Sequence, residues 1–213
     1  MTWRESTIAA DGTHHCVDGR ALYSARFQRV QKFHEPGLAP VVDATGAFHI
    51  TVDGLAVYST RFLQTWGFYE GRAAVQDEQG WFHILADGRE LAKERFDWCG
   101  NFQGHRCAVR SHDGRYFHLT ESGSPAYAAR FLYAGDFRDG SAVIRCPERG
   151  LCTHIDPDGR WVHRQWYLDL DVYHKGYARA RDRSGWFHVD PAGLPITPHR
   201  YAEVEPFYNG QAR

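Results

Sequence analysis

The chain has 213 residues, with 25 basic against 26 acidic side chains, 31 aromatic residues and 21 glycines. A net charge of −1 argues against a nucleic-acid or acidic-membrane partner. An apolar share of 43% with 24% charged residues argues against a disordered chain.

In chain order, the opening residues MTWRESTIAADGTHH hold no apolar stretch of signal-peptide length. No run in the sequence approaches the ~20 apolar residues of a membrane helix. Five cysteines (Cys16, Cys99, Cys107, Cys146, Cys152) lack any C-x-x-C spacing, which fits reduced thiols in a cytoplasm. A cytoplasmic location with no membrane contact is expected.

From Gly12 onward the chain repeats itself. An arginine followed by an aromatic recurs at Arg26-Phe27, Arg61-Phe62, Arg95-Phe96, Arg130-Phe131 and Arg200-Tyr201, with Gln165-Trp166 in the fifth slot. A histidine recurs at His14, His49, His83, His118, His154 and His188. One glycine precedes it (Gly12, Gly46, Gly80, Gly114, Gly150, Gly185) and another follows (Gly19, Gly54, Gly88, Gly123, Gly159, Gly193). Four markers agree on six units of about 35 residues, near 1–32, 33–67, 68–101, 102–136, 137–172 and 173–213, read as one β-repeat domain.

Each unit reads as three short strands between glycine turns, and no segment carries a helical period. Piece A is FYEGRAAV (Phe68 to Val75), piece B is GWFHI (Gly80 to Ile84), and piece C is LYSARF (Leu22 to Phe27). Asp-Gly pairs such as Asp53-Gly54 and Asp87-Gly88 separate B from C and support tight turns. Strand alternation places Gly71, Ala73 and Val75 on one face, small enough for a neighbouring unit to pack close. In piece B it puts Phe82 and Ile84 on a core face, with Trp81 and His83 on the other. Such a unit cannot cover its own apolar face, so stacking must bury it.

The expected fold is therefore all-β: six three-stranded repeats. A propeller-like or toroidal form is preferred to an open β-solenoid. The chain opens on B and C and closes on an A piece alone (Phe207 to Ala212), which could complete the first unit as a propeller closes.

These phrases resemble the bacterial WG-containing β-repeats, in which an F-x-x-G-x-A-x-V half precedes a WG half. FHEPGLAPV (Phe33 to Val41) and FYEGRAAV match the first half, while Trp81-Phe82-His83 and Trp186-Phe187-His188 replace the WG. FHEPGLAPV, WCGNFQ, YAGDFRDG and LDLDVYHKGYARARD are similar to the N-terminal repeat region of bacterial proteins labelled S-adenosylmethionine-dependent methyltransferases. That resemblance implies that this chain is the non-catalytic front of a longer protein, with a methyltransferase domain downstream. It also implies that the final A piece runs on into further chain.

No dinucleotide loop, P-loop, H-E-x-x-H or G-x-S-x-G motif is present, so no catalytic residue, cofactor or metal is assigned. The six histidines could face one another and bind a metal or anion, as in a small enzyme. Residues kept by every unit are better explained by packing, and the repeated arginines (Arg26, Arg61, Arg95, Arg130, Arg200) are read the same way. The functional candidates are repeat-variable positions in the loops from C to A: Trp66, Trp98, Asn101, Tyr133, Asp136, Asp169, Asp171 and Glu205. Aromatics beside acids suit a protein, peptide or cationic ligand. The expected function is a binding or scaffolding module for a protein or peptide partner, its own downstream domain included. A plain spacer without a ligand is the third reading.

Overall fold

The computed structural model describes residues 3–207. After a 3-10 turn at Trp3–Glu5, eighteen strands follow among the described residues. They are β1 Thr7–Ile8, β2 His15–Val17, β3 Arg20–Ala21; β4 Arg29–Val30, β5 Ala39–Asp43, β6 Gly46–Ile50; β7 Gln64–Thr65, β8 Arg72–Asp77, β9 Gly80–Leu85; β10 Trp98–Cys99, β11 Arg106–Arg110, β12 Tyr116–Thr120; β13 Tyr133–Ala134, β14 Ala142–Arg145, β15 Cys152–Ile155; and β16 Asp169–Leu170, β17 Ala178–Asp182, β18 Gly185–Val189. They sort into six three-stranded antiparallel sheets, each of three consecutive strands. The expected six β-repeats are thus observed. No helix among the described residues is long and apolar enough to cross a membrane.

Pieces A and B form the long hairpin of each repeat. In β8–β9 the register runs from Arg72↔Leu85 to Asp77↔Gly80. Asp77 Oδ1 accepts the Gln79 and Gly80 amides at 2.9 and 3.1 Å, closing the turn. Gly80 is required twice over: its φ is +140°, and a Cβ there would lie 2.6 Å from the Phe96 carbonyl oxygen.

Three expectations change. First, piece C is not a strand of the sheet. Arg61 Nη1 bonds the carbonyls of Tyr58, Ser59 and Thr60, and Arg130 does the same to Tyr127, Ala128 and Ala129. Three consecutive carbonyls turned toward one guanidinium curl the backbone out of the extended form. The third strand is instead the two-residue pair just beyond, such as β7 or β13, lying beside piece A. Trp98, Tyr133 and Asp169 are therefore strand residues, not loop residues.

Second, Gly71 lies outside the strand. Tyr69 and Arg72 exchange two backbone bonds around Glu70 (φ +48°) and Gly71 (φ +78°), a tight hairpin with both central residues left-handed. A Cβ on Gly71 would meet nothing within 4 Å, so conformation and not close packing selects glycine. Third, Trp81 and His83 are buried as well as Phe82 and Ile84, because both faces of the hairpin are covered.

The first repeat differs again. β1 pairs with β2 through Ile8↔His15, on the edge that the sequence reading reserves for the closing A piece. Of that piece only Phe207 is described; 208–212 lie outside the described residues.

The chain divides into two compact units, Met1–Phe102 and Gln103–Arg213. In the first, Phe62, Phe68, Ala73, Val75, Phe82 and Ile84 form a core layer joined by Leu38 from the preceding repeat. In the second, Tyr167, Leu170, Tyr173, Ala180, Phe187 and Val189 do the same with Val143. Each large side chain so buried contributes roughly 1.5–3 kcal/mol, and only a neighbouring repeat can supply the cover.

Candidate functional site

The repeat histidines set the frame on which the site is built. His49 Nε2 donates to the Trp66 carbonyl at 2.8 Å, and His83, His118, His154 and His188 bond Gly100, Gly135, Asp171 and Glu205 at 2.7–3.0 Å. In the first repeat the residue in this role is His15, bonded to Gln31 at 2.8 Å, and not His14. The offset of three from Gly12, as His83 stands from Gly80, is the signal for it. Each imidazole also packs on the aromatic that opens piece A: Phe33, Phe68, Phe102, Phe137, Tyr173 or Phe207, with ring centroids 4.2–5.0 Å apart.

The accepting carbonyl in every case is two residues before that aromatic. Strand B is thereby tied to the segment leading into piece A. The second ring nitrogen accepts: Tyr23, Tyr58 and Tyr127 hydroxyls donate to His15, His49 and His118. In the fifth repeat His163 replaces the tyrosine. The Gln165 amide donates to His163 Nδ1 at 3.2 Å, and His163 Nε2 donates to His154 Nδ1 at 2.9 Å. Burial disfavours the charged form of His49, His83, His118 and His154, pushing them down to about 4. The repeat arginines stack on the strand-B phenylalanine: Arg61 on Phe48, Arg95 on Phe82, Arg130 on Phe117 and Arg200 on Phe187, at 3.4–3.8 Å. Arg26 bonds the carbonyls of Tyr23, Ser24 and Ala25.

Within the second unit these ties hold the walls of a cavity of about 650 Å³, a size typical of ligand sites. The segment running on from β13 lines it with Tyr133, Gly135, Asp136, Phe137 and Arg138, and the segment running on from β16 with Leu170, Asp171, Val172 and His174. Gln103, Val143 and Pro206 complete it. The bonds from His118 to Gly135 and from His154 to Asp171 place the two wall segments. Equivalent slots of successive repeats thus converge on one space.

Two carboxylates face the cavity, in different states. Asp171 pairs with Arg179 Nε at 2.5 Å, and Arg179 also bonds the Val204 carbonyl at 3.1 Å. Asp136 is half-buried and has no ion pair among the described residues; its Oδ2 accepts only the Gln103 side-chain amide, at 3.3 Å. Burial pushes its carboxyl above the usual range. The phenol edge of Tyr133 lies against Gly135, where a Cβ would stand 3.2 Å from the phenol oxygen. Burial, then Asp136, pushes the Tyr133 phenol up. Cys146 and Cys152 thiols are likewise held up by burial, which disfavours a thiolate nucleophile. Among the described residues no group of three or more His, Cys, Asp or Glu could hold a metal ion.

Of the residues chosen from sequence, Tyr133, Asp136 and Asp171 line this cavity. Asp169 sits on β16 and meets Arg181 at 3.8 Å. Glu205 is exposed, and its carbonyl serves His188. Asn101 is half-buried, immediately before Phe102 in the first unit. Trp98 is part-exposed on β10, and Trp66 stacks on Trp81 with centroids 5.9 Å apart and planes 4° apart. Gln103, Arg138, Val172, His174 and Pro206 were not expected from sequence. They flank the aromatic that opens piece A, and variation at that flank across the six repeats is the signal that would have found them.

No family model matches the chain, and no curated protein matches it. Solved structures do. BamB from Moraxella catarrhalis is similar with a TM-score of 0.52 at 13% identity, over 88% of this chain and 69% of that one. Hsv2 of Kluyveromyces lactis is similar with a TM-score of 0.51 at 8% identity, over 76% and 61%. The computationally designed Ika8 protein gives 0.50 at 10% identity, over 90% and 69%. BamB and Hsv2 are β-propellers, and at this identity the likeness concerns the fold alone.

Proposed function

We propose that this chain is a non-catalytic recognition module of propeller-like β-repeats, whose ligand-facing surface is the cavity of the second unit. The observation that supports it is a division of labour. The side chains repeated from unit to unit are used in packing: histidines on carbonyls, and Arg61, Arg95, Arg130 and Arg200 on phenylalanines. The side chains that vary between repeats surround the cavity. The partner is a protein or peptide. The likeness of FHEPGLAPV and YAGDFRDG to methyltransferase-associated repeats makes an attached or associated methyltransferase the enzyme it serves.

The test is direct binding. The purified chain is mixed with proteins encoded beside it and with any segment that continues its reading frame, and complexes are followed by calorimetry and light scattering. A 1:1 complex weakened about tenfold or more by Tyr133→Ala is expected, since aromatic anchors dominate interfaces. Failure to bind any of them, or binding indifferent to every cavity substitution, overturns the proposal.

A further inference from the structure

We infer that the cavity seats an organic cation, the ammonium or guanidinium of a basic side chain, against Asp136, an inference that rests on the recognition reading above. The residue before the piece-A aromatic is Lys32, Gly67, Asn101, Asp136, Val172 or Pro206 across the six repeats. Of the six only Asp136 is an acid, so packing does not require one there. The cavity's other carboxylate, Asp171, is already neutralised by Arg179.

Asp136 differs. It is half-buried in the cavity wall, with one long hydrogen bond from a neutral amide and no cation among the described residues. A carboxylate withdrawn from water without a counter-charge is costly, and a ligand cation removes that cost. Arg138 also lines the cavity, two residues away, yet is exposed and forms no ion pair with Asp136. Beside Asp136 stands Tyr133, half-exposed with its phenol edge against Gly135, an aromatic side chain of the class that attracts ammonium and guanidinium groups. A metal ion is a poorer fit, because one free carboxylate is too few ligands.

The same cation could arrive on a peptide or as a free amine, and the experiment separates them. The full chain is titrated at low salt with acetylated, amidated Gly-Gly-Arg-Gly-Gly, its lysine and glutamate counterparts, and free methylguanidinium. The arginine and lysine peptides are expected to bind, and the glutamate peptide not. Asp136→Asn is expected to weaken binding about tenfold or more. Binding of methylguanidinium alone marks the free cation as sufficient; binding of the peptides alone marks a peptide ligand. The Asp136 carboxyl carbon, observed by NMR in the unsubstituted chain, must shift on saturation, a readout independent of any variant. Equal binding of the glutamate peptide, a carboxyl signal that does not move, or unchanged affinity in Asp136→Asn overturns the inference. A partner complex that survives Asp136→Asn sinks this inference and leaves the recognition module standing. Absence of any partner sinks the module instead.

Discussion

The segment before the piece-A aromatic is built alike in both units and filled differently. In residues 3–102, Gly67 faces the His34 ring so closely that a Cβ would lie 2.3 Å from it, and His34 packs on Tyr69 at 4.7 Å. The side chains fill the space themselves. In residues 103–207, Asp136 stands where Gly67 does and Gln103 where His34 does, joined by one hydrogen bond of 3.3 Å, and the space is a cavity edged by Asp136 and Asp171. The backbone is held in both by the same imidazole-to-carbonyl bond, from His49 to Trp66 and from His118 to Gly135. The histidines therefore account for the frame, and the variable side chains decide whether it is closed or open.

The frame itself should fail in acid, in both units together. His49, His83, His118 and His154 titrate near 4 when folded, against an ordinary value of 6.5. The unfolded chain takes up protons first, so their stabilisation is complete above about pH 6.5 and is lost as pH falls toward 4. Each contributes on the order of 1–3 kcal/mol. Melting temperature followed from pH 7.5 to 4 checks this, and a flat profile to pH 4.5 would refute it.

Next comes the aromatic under each frame. Phe68→Ala in the filled unit should cost about 3–5 kcal/mol in urea unfolding. Phe137→Ala should cost clearly less, because its side chain already borders open space and leaves less new void. Equal losses would mean that the two slots are packed alike. Smaller again is the glycine pair. Gly67→Ala must displace His34 and should cost about 1–3 kcal/mol. Gly135→Ala asks Tyr133 to move by a few tenths of an ångström and should cost under about 1 kcal/mol. The smallest contrast lies between the two carboxylates. Asp136→Asn should leave the melting temperature at pH 7 unchanged or higher, since burial disfavours its charged form. Asp171→Asn should lower stability by up to about 1 kcal/mol, because Arg179 loses a part-exposed partner.

Much of this was legible in the residues. The period and the A–B hairpins follow from local chemistry repeated along the chain. The third strand was not legible, because two residues such as Gln64-Thr65 carry no alternation to read. Nor was the hairpin at Glu70-Gly71, whose glycine looks like a small packing residue until its positive φ is seen. The offset of His15 was obscured by a second histidine beside it.

The 35-residue period, with its glycine turns and aromatic anchors, is determined by the sequence alone, since turn conformation and strand alternation depend on near neighbours. Only the tertiary structure decides that Tyr133, Asp136 and Asp171 share one cavity while Trp66 lies against Trp81. The physical reason is that convergence depends on how one sheet packs on the next. That packing joins residues some 35 positions apart whose side chains carry no common pattern.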